Sequence, residues 1–213
     1  MATKIIYFVR HGETKNNSLG IRQGSEGGLT EKGRTQALAA AKRFPRHKGR
    51  PQIIIASPYE RTKETASIIA KELHLRVRYS DLLKERRNPS EIIGRSGDEP
   101  EVRAIVDRID KSYHDDDLRV SDEENFTDLK NRAKKLLNYI TWRRQSRIIM
   151  VTHKIFLKMV IAYMLHGEKL SAIQYNNLSY FNPIDNAGMA ICTYTSHWFK
   201  KAEWKVLVWN DLE

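Results

Sequence analysis

Short apolar runs alternate with amphipathic stretches along this chain. Ile5-Ile6-Tyr7-Phe8-Val9, Ile53-Ile54-Ile55-Ala56 and Ile148-Ile149-Met150-Val151 are unbroken apolar runs, the pattern of strands buried on both faces. Thr30 predicts an N-cap for a helix through about Phe44, with Ala37, Leu38, Ala41 and Phe44 on one face. Ser57, Pro58 and Glu60 fit the N-cap, first position and capping box of a second helix. It runs to about Leu73, with Ala66, Ile69, Ala70 and Leu73 inward. Val77 and Tyr79 suggest another strand, residues 81–98 an irregular polar insert, and 99–112 a helix. After the acidic turn from His114 to Asp117, Ser121 and Glu124 make another capping-box pattern. The helix it opens carries Phe126, Leu129, Ala133, Leu136, Leu137 and Ile140 on its apolar stripe. A strand over 147–152, a helix over 154–166, and strands around 188–195 and 204–209 complete the chain. Strands alternating with helices predict an α/β fold, a three-layer α/β/α sandwich around a mostly parallel central sheet.

The 213 residues hold no Pro/Gly/Ser-rich linker and no internal repeat. Residues 1–213 therefore read as one domain, with the insert around 81–125 capping its site. Cys192 is the single cysteine, which excludes an internal disulfide framework and fits a reducing compartment. No apolar run approaches a membrane span and no leader pattern precedes the first strand, so a cytoplasmic location is expected. The net charge of +11 attracts anions. Its basic residues are dispersed among acidic ones without a nucleic-acid-binding motif, so a small anionic substrate is expected rather than dedicated nucleic-acid binding. The oligomeric state is left open.

Chemistry concentrates where the apolar runs end. The first run exits into Arg10-His11-Gly12, the second into Ser57-Pro58-Tyr59-Glu60-Arg61, and the third into Thr152-His153. In open α/β sheets, ligands bind outside the carboxyl ends of the strands. Guanidinium forks beside imidazoles suit a phosphate group and phosphoryl transfer. Arg61 would lie in the first turn of a helix, where a cation opposes the helix dipole and a bound anion would compensate. The Asp115–Asp117 run lacks the spaced ligands and glycine of a calcium loop, so no metal is expected.

Arg10-His11-Gly12 with Asn17 resembles the first motif of the histidine phosphatase superfamily, which includes cofactor-dependent phosphoglycerate mutases. The resemblance continues in order through Gln23-Gly24, Leu29-Thr30, Gly33 and Gln36-Ala37. Ser57-Pro58 with Arg61, Thr62, Thr65 and Ala66 is similar to the second motif. Glu124, Phe126 and Arg132 are similar to the helix before the last motif, Val151-Thr152-His153 to that motif, and Asn186 with Gly188 to a later segment. The resemblance covers roughly residues 4–195.

It implies a phosphoglycerate mutase-like fold and hydrolysis of phosphate monoesters through a phosphohistidine, with no metal or organic cofactor. His11 would attack phosphorus. Arg10, Arg61 and His153 would surround the phosphoryl oxygens, with Asn17, Gln23 and Gly24 nearby, and Glu85 would protonate the leaving oxygen. Glu91 or Glu13 could be the donor instead. A mutase-type transfer and a non-catalytic phosphate-binding regulatory domain are the alternatives. Where the family has glycine after the last histidine this chain has Lys154, which would add a phosphate contact or face solvent. Arg86 and Arg87 read equally as a substrate clamp or a solvated basic face.

Overall fold

The three apolar runs lie side by side in one six-stranded sheet. The computed structural model describes residues 2–44, 49–111, 116–181, 183–198 and 202–212. The strands are β1 (Ala2–Arg10), β2 (Ile53–Ala56), β3 (Val77–Tyr79), β4 (Arg147–Thr152), β5 (Met189–Ser196) and β6 (Glu203–Asp211), in the order β3-β2-β4-β1-β5-β6. The first four in that order are parallel; β5 runs antiparallel to β1, and β6 antiparallel to β5. The helices are α1 (Lys15–Ser18), α2 (Glu31–Lys42), α3 (Glu60–Leu73), α4 (Pro100–Lys111), α5 (Phe126–Thr141), α6 (Lys154–His166) and α7 (Ala172–Phe181).

Successive residues of a strand point to opposite faces, and here both faces are covered. Ile6, Phe8, Ile53, Ile55, Ile148 and Met150 pack with residues of α5 and α6, such as Leu136 and Val160. Tyr7, Val9, Ile54, Ala56, Ile149 and Val151 pack with Ala66, Ile69 and Leu73 of α3 and with Ala41 and Phe44. Each fully buried isoleucine or leucine contributes about 1.5–3 kcal/mol. Two clusters divided by the sheet hold the strand ends on a rigid frame.

Several local expectations are corrected. Leu38 is 40% exposed; Gly33 and Ala40 join Ala37 and Ala41 on the buried face of α2 instead. α3 begins at Glu60, with Tyr59 as its N-cap and no side-chain cap. Ser57 is therefore not a cap, and the Glu60 carboxylate accepts from the Gly27 N–H at 2.9 Å. α5 is capped by the reciprocal pair Asn125 and Asp128, not by Ser121 and Glu124. α1 and α7 were not anticipated.

Within 81–125 lie two 3-10 turns, Asp81–Leu83 and Ser90–Ile92, followed by α4. The segment is stitched to the loop after α1: the Arg22 N–H donates to Arg95 O (2.9 Å), Gly94 N–H to Arg22 O (2.8 Å) and Gly97 N–H to Gly20 O (2.9 Å). His47, His114 and Asp115 lie outside the described residues. Among the described residues no helix is long and apolar enough to cross a membrane, and no group of three or more His, Cys, Asp or Glu side chains could hold a metal ion.

Candidate active site

Sheet register brings the strand exits together. Arg10 pairs with Thr152 and Ala56 with Val151, so His11, His153 and Ser57 leave neighbouring strands at one edge. His11 N–H donates to Thr152 O and Ser57 N–H to Val151 O, both at 3.0 Å, extending the ladder one step past the strands. The His11 and His153 rings stand 5.2 Å apart. His11 is 4% exposed, Arg61 2% and His153 0%.

Hydrogen bonds assign the imidazole tautomers. His11 Nδ1 lies 2.7 Å from Gly12 O, and a carbonyl only accepts, so Nδ1 carries the proton and the lone pair is on Nε2. Arg61 Nε–H donates to His153 Nδ1 at 3.2 Å. His153 Nε2 then carries the proton and donates to Ser57 Oγ at 2.9 Å. Burial, with the Arg61 and Arg10 guanidiniums beside it, holds His11 well below the ordinary histidine value. Burial and Arg61 do the same for His153. Both imidazoles are thus neutral at pH 7.

The cations are held from several sides. Arg61 also donates to Gly24 O at 2.9 Å, and its guanidinium lies 5.0 Å from the Tyr59 ring centroid. Tyr59 in turn meets the His153 ring edge-on at 5.2 Å. Arg10 donates to Ile184 O at 2.8 Å. Its Nε–H is buried without a hydrogen-bond partner among the described residues. A buried orphan donor on a cation is a place where an anion would be satisfied.

Glu85 stands at the start of α6, directly after His153. Its Oε2 accepts from Ile155 N–H (3.1 Å) and its Oε1 from Phe156 N–H (2.9 Å) and Arg86 N–H (2.9 Å). The other two carboxylates lie elsewhere: Glu13 binds Lys32 at 2.8 Å and Thr30 at 3.1 Å, and Glu91 is exposed on a 3-10 turn. Lys154, the first residue of α6, is exposed. A cleft of about 650 Å³ reaches Tyr59 and Glu85 from the side and is lined also by Lys84, Arg87, Glu124 and Arg132.

Asn17 and Gln23 are positioned through their amide oxygens. Asn17 Oδ1 accepts from Thr14 N–H (3.3 Å) and Asn186 Nδ2 (3.2 Å), and Gln23 Oε1 accepts from Thr14 Oγ1 (3.0 Å). Asn186 also donates to His11 O at 3.1 Å. Thr65 Oγ1 donates to Arg61 O at 2.7 Å and accepts from Gly12 N–H at 3.1 Å, joining the two motifs. Beneath His11 the main chain touches α2: a Cβ on Gly12 would lie 2.3 Å from Gly33 O, and one on Gly33 would lie 2.1 Å from Glu13 O.

The roles of Ser57, Tyr59 and Asn186 were not read from the sequence. In the sequence Ser57 has the pattern of a helix cap and stands in the second motif, and Asn186 stands only in the later matched segment. The contacts of Ser57 and Asn186 with the histidines, and that of Tyr59 with His153, cross large sequence separations, so no local spacing signals them.

Fold and pocket define an α/β protein whose parallel strand ends carry paired neutral histidines among buried arginines. The model of the histidine phosphatase superfamily, branch 1, matches residues 6–211, and the chain belongs to that family. The fold is shared with a mycobacterial hydrolase (23% identity, TM-score 0.79, covering 99% of this chain and 100% of that one). It is also shared with mycobacterial glucosyl-3-phosphoglycerate phosphatase (23%, TM-score 0.77, 98% and 99%). A phosphoserine phosphatase mutant from Entamoeba histolytica, in complex with phosphoserine, is a further structural relative (24%, TM-score 0.76, 100% and 98%). No curated protein sequence matches the chain.

Proposed function

We propose that the protein is a phosphatase that hydrolyses small phosphate monoesters through a phosphohistidine on His11. The observation that carries this reading is the tautomer of His11. Its Nδ1–H is committed to Gly12 O, which leaves the Nε2 lone pair as a nucleophile in a pocket whose cations hold it neutral. Arg61 and Arg10 supply donors for phosphoryl oxygens, with charge in place before the reaction begins, and His153, held between Arg61 and Ser57, lies beside them and would turn its Nε2–H from Ser57 to a bound phosphoryl oxygen. Asn17 and Gln23, anchored through their amide oxygens, would add N–H donors, and Gly24 fixes Arg61 through its carbonyl.

In the first step Nε2 attacks phosphorus, the P–O bond to the alcohol breaks, and the leaving oxygen takes a proton from the Glu85 carboxyl. In the second, water gives its proton back to Glu85 while its oxygen attacks the phosphohistidine. The N–P bond breaks and phosphate departs. Glu85 Oε2 accepts a single hydrogen bond, and a carboxyl oxygen has a second lone-pair position where that proton sits. The cleft lined by Tyr59 and Glu85 opens beside the proposed donor and would let water reach that carboxyl, which supports hydrolysis as the second step. Site cations do the work often given to a metal, so activity in EDTA should equal activity without it. No described feature favours a non-catalytic reading, since nucleophile, cations and carboxylate converge.

Rapid quenching with a ³²P-labelled aryl phosphate tests the proposal. The expected result is alkali-stable, acid-labile label on the wild type, none on His11→Ala, and phosphate as the product. Turnover by His11→Ala would overturn the nucleophile. Transfer of label to an added alcohol rather than to water would turn the reading toward a mutase.

A further inference from the structure

Residues 82–85 leave the short 3-10 turn Asp81–Leu83 and continue as irregular chain beside the site, where their carbonyls need partners. Two side chains supply them. Arg132, on α5, donates from Nη1 to Leu82 O (3.2 Å) and Lys84 O (2.6 Å), and from Nη2 to Glu85 O (3.4 Å). Thr152, the last residue of β4, donates to Leu83 O at 2.8 Å. Four consecutive carbonyls are therefore held by side chains of the two elements that flank the site.

Arg132 is itself immobilised. Its Nε and Nη2 form a bidentate pair with Glu124 at 2.7 and 2.6 Å, and its guanidinium lies 3.9 Å from the Phe156 ring centroid. Glu124 N–H donates to Arg87 O at 3.0 Å, and Glu124 Oε2 accepts from Arg87 N–H at 3.4 Å. Both members of the ion pair are mostly buried. A surface arginine on a helix would be solvated; this one is used as a bracket. Beyond the bracket, the Glu85 carboxylate rests on the main chain of Ile155 and Phe156. Phe156 is thus touched from both ends, by the guanidinium on its ring and by Glu85 on its N–H.

We propose that Arg132, locked by Glu124, is a positioning residue that sets the efficiency of leaving-group protonation by fixing where Glu85 stands relative to His153. The proposal rests on the reading of Glu85 as the proton donor. Planarity and the fork matter as well as charge, because five hydrogen bonds leave one guanidinium in fixed directions. Lysine reproduces the charge and loses the fork.

The test measures the single-turnover rate of His11 phosphorylation, with KM beside it, on p-nitrophenyl phosphate, whose leaving group hardly needs a proton, and on phenyl phosphate and glycerol 2-phosphate, whose leaving groups do. Wild type, Glu85→Gln, Arg132→Lys, Glu124→Gln and the double variant Glu85→Gln/Arg132→Lys are compared. Misplacement of a reacting group by about 1 Å costs on the order of 10²-fold. Arg132→Lys and Glu124→Gln should each lose about that factor on the poor leaving groups and only a few-fold on p-nitrophenyl phosphate, with KM nearly unchanged. The double variant should lose no more than Glu85→Gln, since both act through one proton transfer. Glu124→Gln keeps the shape of the pair, so it tests the bracket even if Arg132→Lys folds poorly. If Glu85→Gln shows leaving-group dependence while both bracket variants lose equally on all substrates, or lose nothing, the positioning role is overturned and Glu85 stands as donor. If Glu85→Gln itself shows no leaving-group dependence, the donor assignment fails and the proposal fails with it.

Discussion

Ser57 closes a relay that begins on Arg61. The arginine donates to one nitrogen of His153 and the serine accepts from the other, so the ring has one tautomer and one orientation. Removing the Arg61 fork should therefore do two things: weaken anion binding and free the His153 ring. Losing one partner of a buried hydrogen-bonded charge pair costs about 2–5 kcal/mol. Arg61→Ala should raise the inhibition constant of inorganic phosphate correspondingly, measured against an aryl phosphate; an unchanged constant would place the guanidinium outside the anion site. Arg10, His11, Arg61 and His153 were legible in the sequence because each follows an apolar run or opens a helix beside one. Ser57 was misread for a physical reason. A serine before Pro58 and Glu60 has the local chemistry of a cap, but its hydroxyl is taken by an imidazole 96 positions away, and α3 starts two residues later than a Ser57 cap would have it.

Helices α2 and α3 show how an element can carry function without touching a substrate. α2 presses Gly33 against the main chain of Glu13, and Gly12 against Gly33 O, so the turn that follows His11 has no room for a methyl group. Gly33→Ala should shift that turn, because the atoms in the way are backbone and not the ends of flexible side chains. Overpacking of this kind costs about 1–3 kcal/mol. A thermal melt should show that loss while kcat falls more than the melt explains; full activity with a normal melt would mean that the helix can yield. The strands and the long helices were legible because buried strands are continuous apolar runs and two-layer burial imposes a helical stripe. α7 was missed, although Ser171 and Gln174 do bond each other's main chain across its first turn (2.9 and 3.3 Å). That serine–glutamine spacing was a readable signal. Leu38 was misplaced because it sits beside the true buried stripe of Gly33, Ala37, Ala40 and Ala41, where small residues let α2 approach closely.

At the scale of the whole molecule, the site's electrostatics set a limit on stability. His11 and His153 are held well below their ordinary values, chiefly by burial and then by Arg61. In the unfolded chain both would take up protons near pH 6.5, to a good approximation about the value of free histidine. Below that pH the unfolded state binds protons that the folded state refuses, so stability is full above about pH 6.5 and falls as the pH drops toward the folded values. The slope is up to roughly 1.4 kcal/mol per pH unit for each imidazole. Urea unfolding at pH 7.5 and 5.5 should show this loss in the wild type and a smaller one in His153→Gln. Equal losses in the two would assign acid sensitivity to other groups. Inorganic phosphate should offset part of the loss, since an anion stabilises only the folded pocket.

The contact between Gly12 and Gly33 also has a consequence for descent. Neither position can accept a side chain while the other segment keeps its place, and a shift of the turn rather than of α2 displaces the residue next to His11. A variant that enlarges one glycine is damaged before a second change could make space for it. Each codon is constrained on its own, because the obstacle is main chain that no exchange of side chains removes, and either glycine can be lost only together with a shift of α2 or of the turn after His11.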